Sequence, residues 1–338
     1  SPNRSENINK AVVRDIKIPH NRFLLKPHTA AMNILQAIST RKSSRTFNGL
    51  HLDNAILNRI DTLCRKLSIS PDSSEPGIFN NIPRPSIKLL SDCHAGGMLG
   101  TYGVIKGARS FLAMAAGSST AEQLLAGYLF EKIVLECTRN GLDTCWVGGT
   151  FGKTVFQAEF DNATDKSESD IATEQPGKKQ TVTIISPLGH RTPDTRFAER
   201  IMRRIVSSDS RKPFHDLFEG MTPRSFHLMR QISETQCAGS HSVDNISLEH
   251  RLAVALECVR MAPSARNSQP WRANVCRNLK GRPTGIAFKK ALTGKFSYYD
   301  MGIAYCHLVE SASYLGIKGT LEQNSYTDPS ELFFSLLS

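Results

Sequence analysis

Three segments of the 338-residue chain hold side chains whose types and spacing suit ligand binding. The first is Arg41-Lys42-Ser43-Ser44-Arg45-Thr46-Phe47. In an extended chain successive side chains alternate sides, which sends Arg41, Ser43 and Arg45 the same way. Two guanidinium forks and a hydroxyl on one face suit a phosphate, because arginine donates paired charge-assisted hydrogen bonds. A solvated basic loop has the same composition. The second segment is Ala262-Pro263-Ser264-Ala265-Arg266-Asn267-Ser268-Gln269-Pro270-Trp271-Arg272. Its prolines fix a rigid path, and Asn267 and Gln269 offer amide donors and acceptors suited to the polar edge of a planar heterocycle. A rigid turn with Trp271 as a core anchor is the other reading. In the third, Gly141-Leu142-Asp143-Thr144-Cys145-Trp146-Val147-Gly148-Gly149-Thr150, the paired glycines let backbone N–H groups approach a ligand. A turn or bulge needs the same residues.

Other chemistries find less support. The ten histidines form no H-E-x-x-H pair and no Cys/His ligand spacing, so no metal site is expected. No G-x-S-x-G occurs, and Cys145 has no evident histidine partner. Gly96, Gly97 and Gly100 match a dinucleotide loop only loosely. The formal charge of +11 would attract polyanions, anionic membrane surfaces or small anions, but a nucleic-acid role rests on that charge alone. Eight cysteines without a C-x-x-C pair fit a reducing compartment. No apolar run approaches the roughly 20 residues that span a bilayer. The expectation is a soluble, cytoplasmic protein, or one of an organellar matrix or stroma if a presequence was removed.

The elements that must position these segments read as follows. A helix over Ala31–Ser39 runs into the basic segment. Asp53 caps a second helix to Leu67, with Ile56, Leu57, Ile60, Leu63 and Cys64 on one face. Strands are expected at Ser86–Leu90, Ser110–Ala115 and Thr181–Ser186, with a long helix over Thr120–Arg139 ending at Gly141. Asn162–Gln180 is polar and reads as an exposed insertion. A second pattern begins where Ser247 caps a helix to Met261, followed by strands near Ala273–Cys276 and Gly285–Phe288 and a helix over Met301–Tyr314 ending at Gly316. The helix before Pro71 parallels the one before Pro263, and Gly141-Leu142 parallels Gly316-Ile317, which suggests a duplication. The resulting division is a polar extension over 1–30, a first half over 31–207, a linker over 208–246 and a shorter second half over 247–338.

Together, R-x-S-x-R-x-F, G-L-x-T-C-W-x-G-G and A-P-S-A-x-N-x-Q-P-W resemble the nitroreductase family of FMN enzymes, in particular its fused, double-length branch of putative TM nitroreductases. The resemblance spans Ala31 to Thr320 and implies an α+β fold in which two related halves form an intramolecular pseudo-dimer through long central helices. The family normally builds two FMN sites between two chains, each chain carrying both motif types. Here the first half has R-x-S-x-R but Ile69–Pro85 in place of the A-P-S segment, and the second half has the reverse. One complete set, and hence one FMN, is implied. The resemblance places Arg41, Lys42, Ser43 and Arg45 at the FMN phosphate and ribityl chain. It places Pro263, Ser264 and Asn267 against the isoalloxazine, with Gly148 and Gly149 near N5 or the pocket beside it. Arg211, in Arg211-Lys212-Pro213, resembles a late basic turn that also reaches the phosphate; a helix-end charge cluster reads the same.

The activity so implied is ping-pong transfer of a hydride from NAD(P)H, a transient visitor, to flavin, and then of electrons to a small-molecule acceptor such as a nitroaromatic or quinone. No side chain is required as general acid or base, so no catalytic residue is assigned. The alternative is a flavin-binding or flavin-free pseudo-enzyme serving as a subunit or scaffold. A monomeric pseudo-dimer is expected, with a larger assembly left open.

Overall fold

The structure is a computed structural model in which residues 32–71, 75–93, 98–163, 181–192, 211–221, 246–323, 328 and 330–337 are described. The 1–30 extension, nearly all of the 162–180 insertion and most of the 208–246 linker lie outside them. Helix α1 (Ile34–Thr40) opens on a capping box, in which Asn33 accepts from the Gln36 N–H while Gln36 accepts from the Asn33 N–H, both at 3.0 Å. Helix α2 (Asn54–Ile69) is capped by Asp53 and buries Ile60, Cys64 and Leu67. Strand β1 (Ser86–Leu90), the short helix α3 (Met98–Thr101) and β2 (Ser110–Ala115) follow. Ser119 and Glu122 form a second capping box that starts α4 (Thr120–Arg139), and β3 (Asp143–Thr144), α5 (Lys153–Asn162) and β4 (Val182–Gly189) complete the first half. Next come α6 (Phe214–Leu217) and β5 (Phe218–Glu219), then α7 (Leu248–Met261), β6 (Trp271–Arg277), β7 (Pro283–Lys290), α8 (Ser297–Tyr314), β8 (Gly319–Gln323) and β9 (Leu332–Leu336).

The duplication suggested by two short sequence echoes extends through the topology. One sheet has strand order β1-β2-β4-β3; the other has β5-β6-β7-β9-β8. Removing β5, which pairs in parallel with β6, leaves the same order of antiparallel strands in both. Each half therefore runs helix, two strands, long helix, two strands, and the first half adds α1 before this pattern and α3 and α5 between its strands. The two long helices also end alike. Gly141 (φ 76°) and Gly316 (φ 64°) take the left-handed conformation, and Leu142 and Ile317 donate to the carbonyls of Cys137 and Ala312 at 2.9 Å, five residues back. That is the Schellman arrangement, which satisfies carbonyls that the helix end would orphan.

Helices α4 and α8, one from each half, pack on each other at the centre. Both are buried nearly all round, as central helices of a shared core must be. The contact is backbone against backbone. A Cβ on Gly302 would stand 2.0 Å from the Leu124 carbonyl oxygen, and one on Gly127 would stand 2.2 Å from that of Tyr299. The fold is thus an α+β intramolecular pseudo-dimer.

Where the first half lacks the A-P-S segment, the space after α2 is filled. Arg84 grips Glu75 bidentately at 2.8 and 2.9 Å and donates through Nε to the Leu67 carbonyl at 2.7 Å. A 3-10 turn over Gly77–Phe79 then buries Phe79 against Tyr128, ring centroids 5.3 Å apart.

Several boundaries differ from the sequence expectation. Helix α8 begins at Ser297 rather than Met301, because Ser297, Tyr299 and Asp300 are themselves buried and hydrogen-bonded. Strands β3, β8 and β9 and the segment α6–β5 carry no clear alternation of apolar residues, and the sheets rather than local propensity fix them. Among the described residues no helix is long and apolar enough to cross a membrane.

Candidate functional site

The basic segment leaves α1 at once: Arg41 is its C-cap. The chain is extended there and bridges to two neighbours, Ser43 in parallel to Thr144 of β3 and Thr46 to Lys106. The burial pattern is not a simple alternation. Arg41, Ser44 and Phe47 are buried, Ser43 and Arg45 are half-buried and Lys42 is exposed. Ser44 turns inward, donating to Asp143 Oδ1 at 3.2 Å. Arg41 is only 8% exposed, and its Nε has no hydrogen-bond partner among the described residues. A buried guanidinium donor without an acceptor carries a large desolvation cost, and an anion would relieve it.

The A-P-S segment follows from how α7 ends. A helix leaves its last four carbonyls without partners. Here each finds one: Cys258 accepts from His307 Nδ1 at 2.9 Å, Val259 from the Ala262 N–H at 3.1 Å, Arg260 from Gln269 Nε2 at 2.9 Å and Met261 from Arg211 Nη2 at 3.0 Å. Gln269 also accepts from the Lys212 N–H at 2.7 Å and is fully buried, so it is a brace of the loop rather than a group that faces a heterocycle. Trp271 is fully buried as the core anchor of β6. Arg211 donates as well to Asn267 Oδ1. The structure therefore brings Arg211 to Asn267 and to the end of α7. Ser264 accepts the Gln269 N–H at 2.9 Å, Pro263 is buried, and Arg266, Asn267 and Gln269 all have positive φ. Such a path in non-glycine residues is held only because its surroundings over-determine it.

Asp300 of α8 does much of that holding, accepting from the Ala265 N–H at 2.9 Å and from the Ser268 hydroxyl at 3.4 Å. Nothing in the spacing of the sequence marked it. Burial pushes its carboxyl up to about 7, against the pull of those two hydrogen bonds. The folded protein then holds a proton on Asp300 over a pH range in which the unfolded chain has released it. Stability from this group is greatest below about pH 4 and falls as pH rises to about 7, by at most about 4 kcal/mol. Asp300→Asn keeps the acceptor for Ala265 and removes the titration. The variant is expected to melt higher than the parent at pH 8 and to lose much of the parent's decline between about pH 4 and 7; an unchanged decline would assign it to other groups.

The third segment lies beside β4. Val147 exchanges backbone hydrogen bonds with Ile185 at 2.9 and 3.0 Å. A Cβ on Gly148 would stand 2.7 Å from the ring of Phe296, a residue of the second half, so the two halves meet closely at this glycine. Around Gly149 no other described atom lies within 4 Å of such a Cβ, and the residue is exposed. The two motif sets share one core, since α1, which delivers Arg41, packs on both α7 and α8. A cavity of about 200 Å³ among α1, α2, α4 and α8, lined by Ile34, Leu63, Lys132 and Leu135, contains none of the motif residues.

A family sequence profile described as "Putative TM nitroreductase" matches residues 33–312. No curated protein matches the chain. Among solved structures, a "putative nitroreductase" from Thermotoga maritima MSB8 aligns with a TM-score of 0.51 and 16% identity, covering 93% of this chain and 98% of that one. That likeness concerns the fold. A nitroreductase with bound FMN from Bacteroides fragilis NCTC 9343 aligns over 48% of this chain and 91% of its own, with 13% identity and a TM-score of 0.34.

Proposed function

The chain belongs to the putative TM nitroreductase family, and from that premise we propose that it is an FMN-dependent NAD(P)H oxidoreductase with one flavin held between its two halves. The observation that carries the reading is the buried Arg41 guanidinium, whose Nε lacks an acceptor among the described residues, at the head of the R-x-S-x-R segment. A phosphate is the ligand that this donor set suits. In this reading Arg41 holds the phosphate with Ser43 and Arg45, while the exposed Lys42 adds positive potential at the rim. Pro263, Ser264 and Asn267 line the ring from the second half. Arg211 keeps Asn267 in place, and the open face of Gly149 leaves room for a planar group. When bound, FMN supplies hydride and electron transfer from NAD(P)H to a nitroaromatic, quinone or similar acceptor. The side chains bind, orient and exclude water; none is asked to act as acid or base.

The filled space around Phe79 and the Glu75–Arg84 pair supports one flavin rather than two. The purified full chain is expected to be yellow, or to become so with added FMN, and to release about one FMN per chain. A colourless protein that takes up no FMN would reject the reading. NADH or NADPH oxidation with menadione or a nitrofuran then distinguishes an enzyme from a flavin-binding scaffold.

A further inference from the structure

Between α4 and α8 lies a polar chain that the proposed chemistry does not use. His307 of α8 directs Nε2 to Glu131 Oε1 of α4 at 2.9 Å, and the other carboxylate oxygen accepts from the indole N–H of Trp146 at 2.7 Å. Glu131 and His307 are wholly buried. The proton positions are constrained by the partners. The Cys258 carbonyl can only accept, so His307 Nδ1 carries a hydrogen, and the indole can only donate. One further proton lies between Nε2 and Oε1, and with it every polar atom of the chain is bonded.

Placing such a pair in a core costs several kcal/mol of desolvation, and its best-attested return is a fixed register rather than stability. The register fixed here spans both halves. His307 is anchored on α7, three residues before the helix gives way to the A-P-S segment. Trp146 immediately precedes Val147-Gly148-Gly149, and its ring also meets Phe130 edge-on at 4.7 Å. We propose that Glu131, held by His307, is a positioning residue for the site: through the Trp146 indole it sets the path of Val147–Gly149 only when the second half is docked. The inference rests on the flavin reading for its functional meaning, but not for its test.

Glu131→Met removes both acceptors, whereas Glu131→Gln can still accept from Trp146 through its carbonyl and donate to His307 Nε2 through its amide. In the full chain, Glu131→Met is expected to speed amide hydrogen exchange over 146–150 about tenfold relative to the β6–β7 hairpin, and to weaken FMN binding about tenfold. Glu131→Gln should restore both to within about twofold of the parent. If Glu131→Met does not fold, Trp146→Phe, which removes only the donor and part of the ring, should show the same selective exchange. Exchange over 146–150 that is unchanged, or that rises equally everywhere, overturns the proposal, as does failure of Glu131→Gln to rescue. Should the parent bind no FMN, the flavin reading fails, while the exchange measurement still decides the role of Glu131.

Discussion

Arg41→Leu is expected to weaken FMN binding about ten- to a hundredfold while leaving the flavin-free protein as stable as the parent, or more so. The two halves of this result come from one fact. Arg41 is buried and its Nε has no partner among the described residues, so without a ligand its charge is a cost to the fold. With a phosphate in place that cost becomes a set of charge-assisted hydrogen bonds. Leucine keeps much of the apolar stem's packing and removes both terms. Flavin-fluorescence titration and thermal melting of the stripped protein measure them separately. Unchanged FMN affinity would remove Arg41 from the site, and a large loss of stability in the stripped protein would make it a structural residue. Arg45, half-buried, should contribute less when replaced by alanine.

Gly302→Ala should destabilise the protein by about 3 kcal/mol or more. In the interior of an ordinary helix the same change stabilises by up to about 1 kcal/mol, so the sign itself is diagnostic. The added methyl would meet the Leu124 carbonyl oxygen at 2.0 Å and the Tyr128 nitrogen at 2.8 Å. Both are backbone atoms of α4, and no side-chain rotation relieves the clash. Separation of α4 from α8 would also pull Glu131 from His307 and loosen the site, so FMN affinity should fall along with the urea midpoint. A stability equal to the parent's would show that α4 and α8 do not depend on this close approach.

The parts of this architecture that were legible in the sequence are those set by local chemistry. Asp53 and Ser247 cap helices as expected because a short oxygen-bearing side chain there satisfies an orphan N–H. Gly141 and Gly316 end the long helices because the left-handed turn needs glycine. What the sequence hid depends on partners far along the chain. Strand β3 exists because β4 pairs with it, and β8 because β9 does. Gln269 read as a ligand because an amide that braces a loop looks the same in sequence as one that faces a heterocycle; only its burial against Arg260 and Lys212 separates the two. Asp300 and the Glu131–His307 pair left no trace in spacing, since their partners lie on other elements, 176 residues away in the case of Glu131.

The meeting of α4 and α8 has a consequence for how the protein responds to dilution. When two separate chains build such an interface, every site between them is lost once the concentration falls below the dissociation constant. Here both helices are on one covalent chain, and each meets the other at an effective concentration that dilution does not lower. Completion of the site is a first-order event. The FMN dissociation constant and the melting temperature of the flavin-free chain should therefore be the same at nanomolar and micromolar protein.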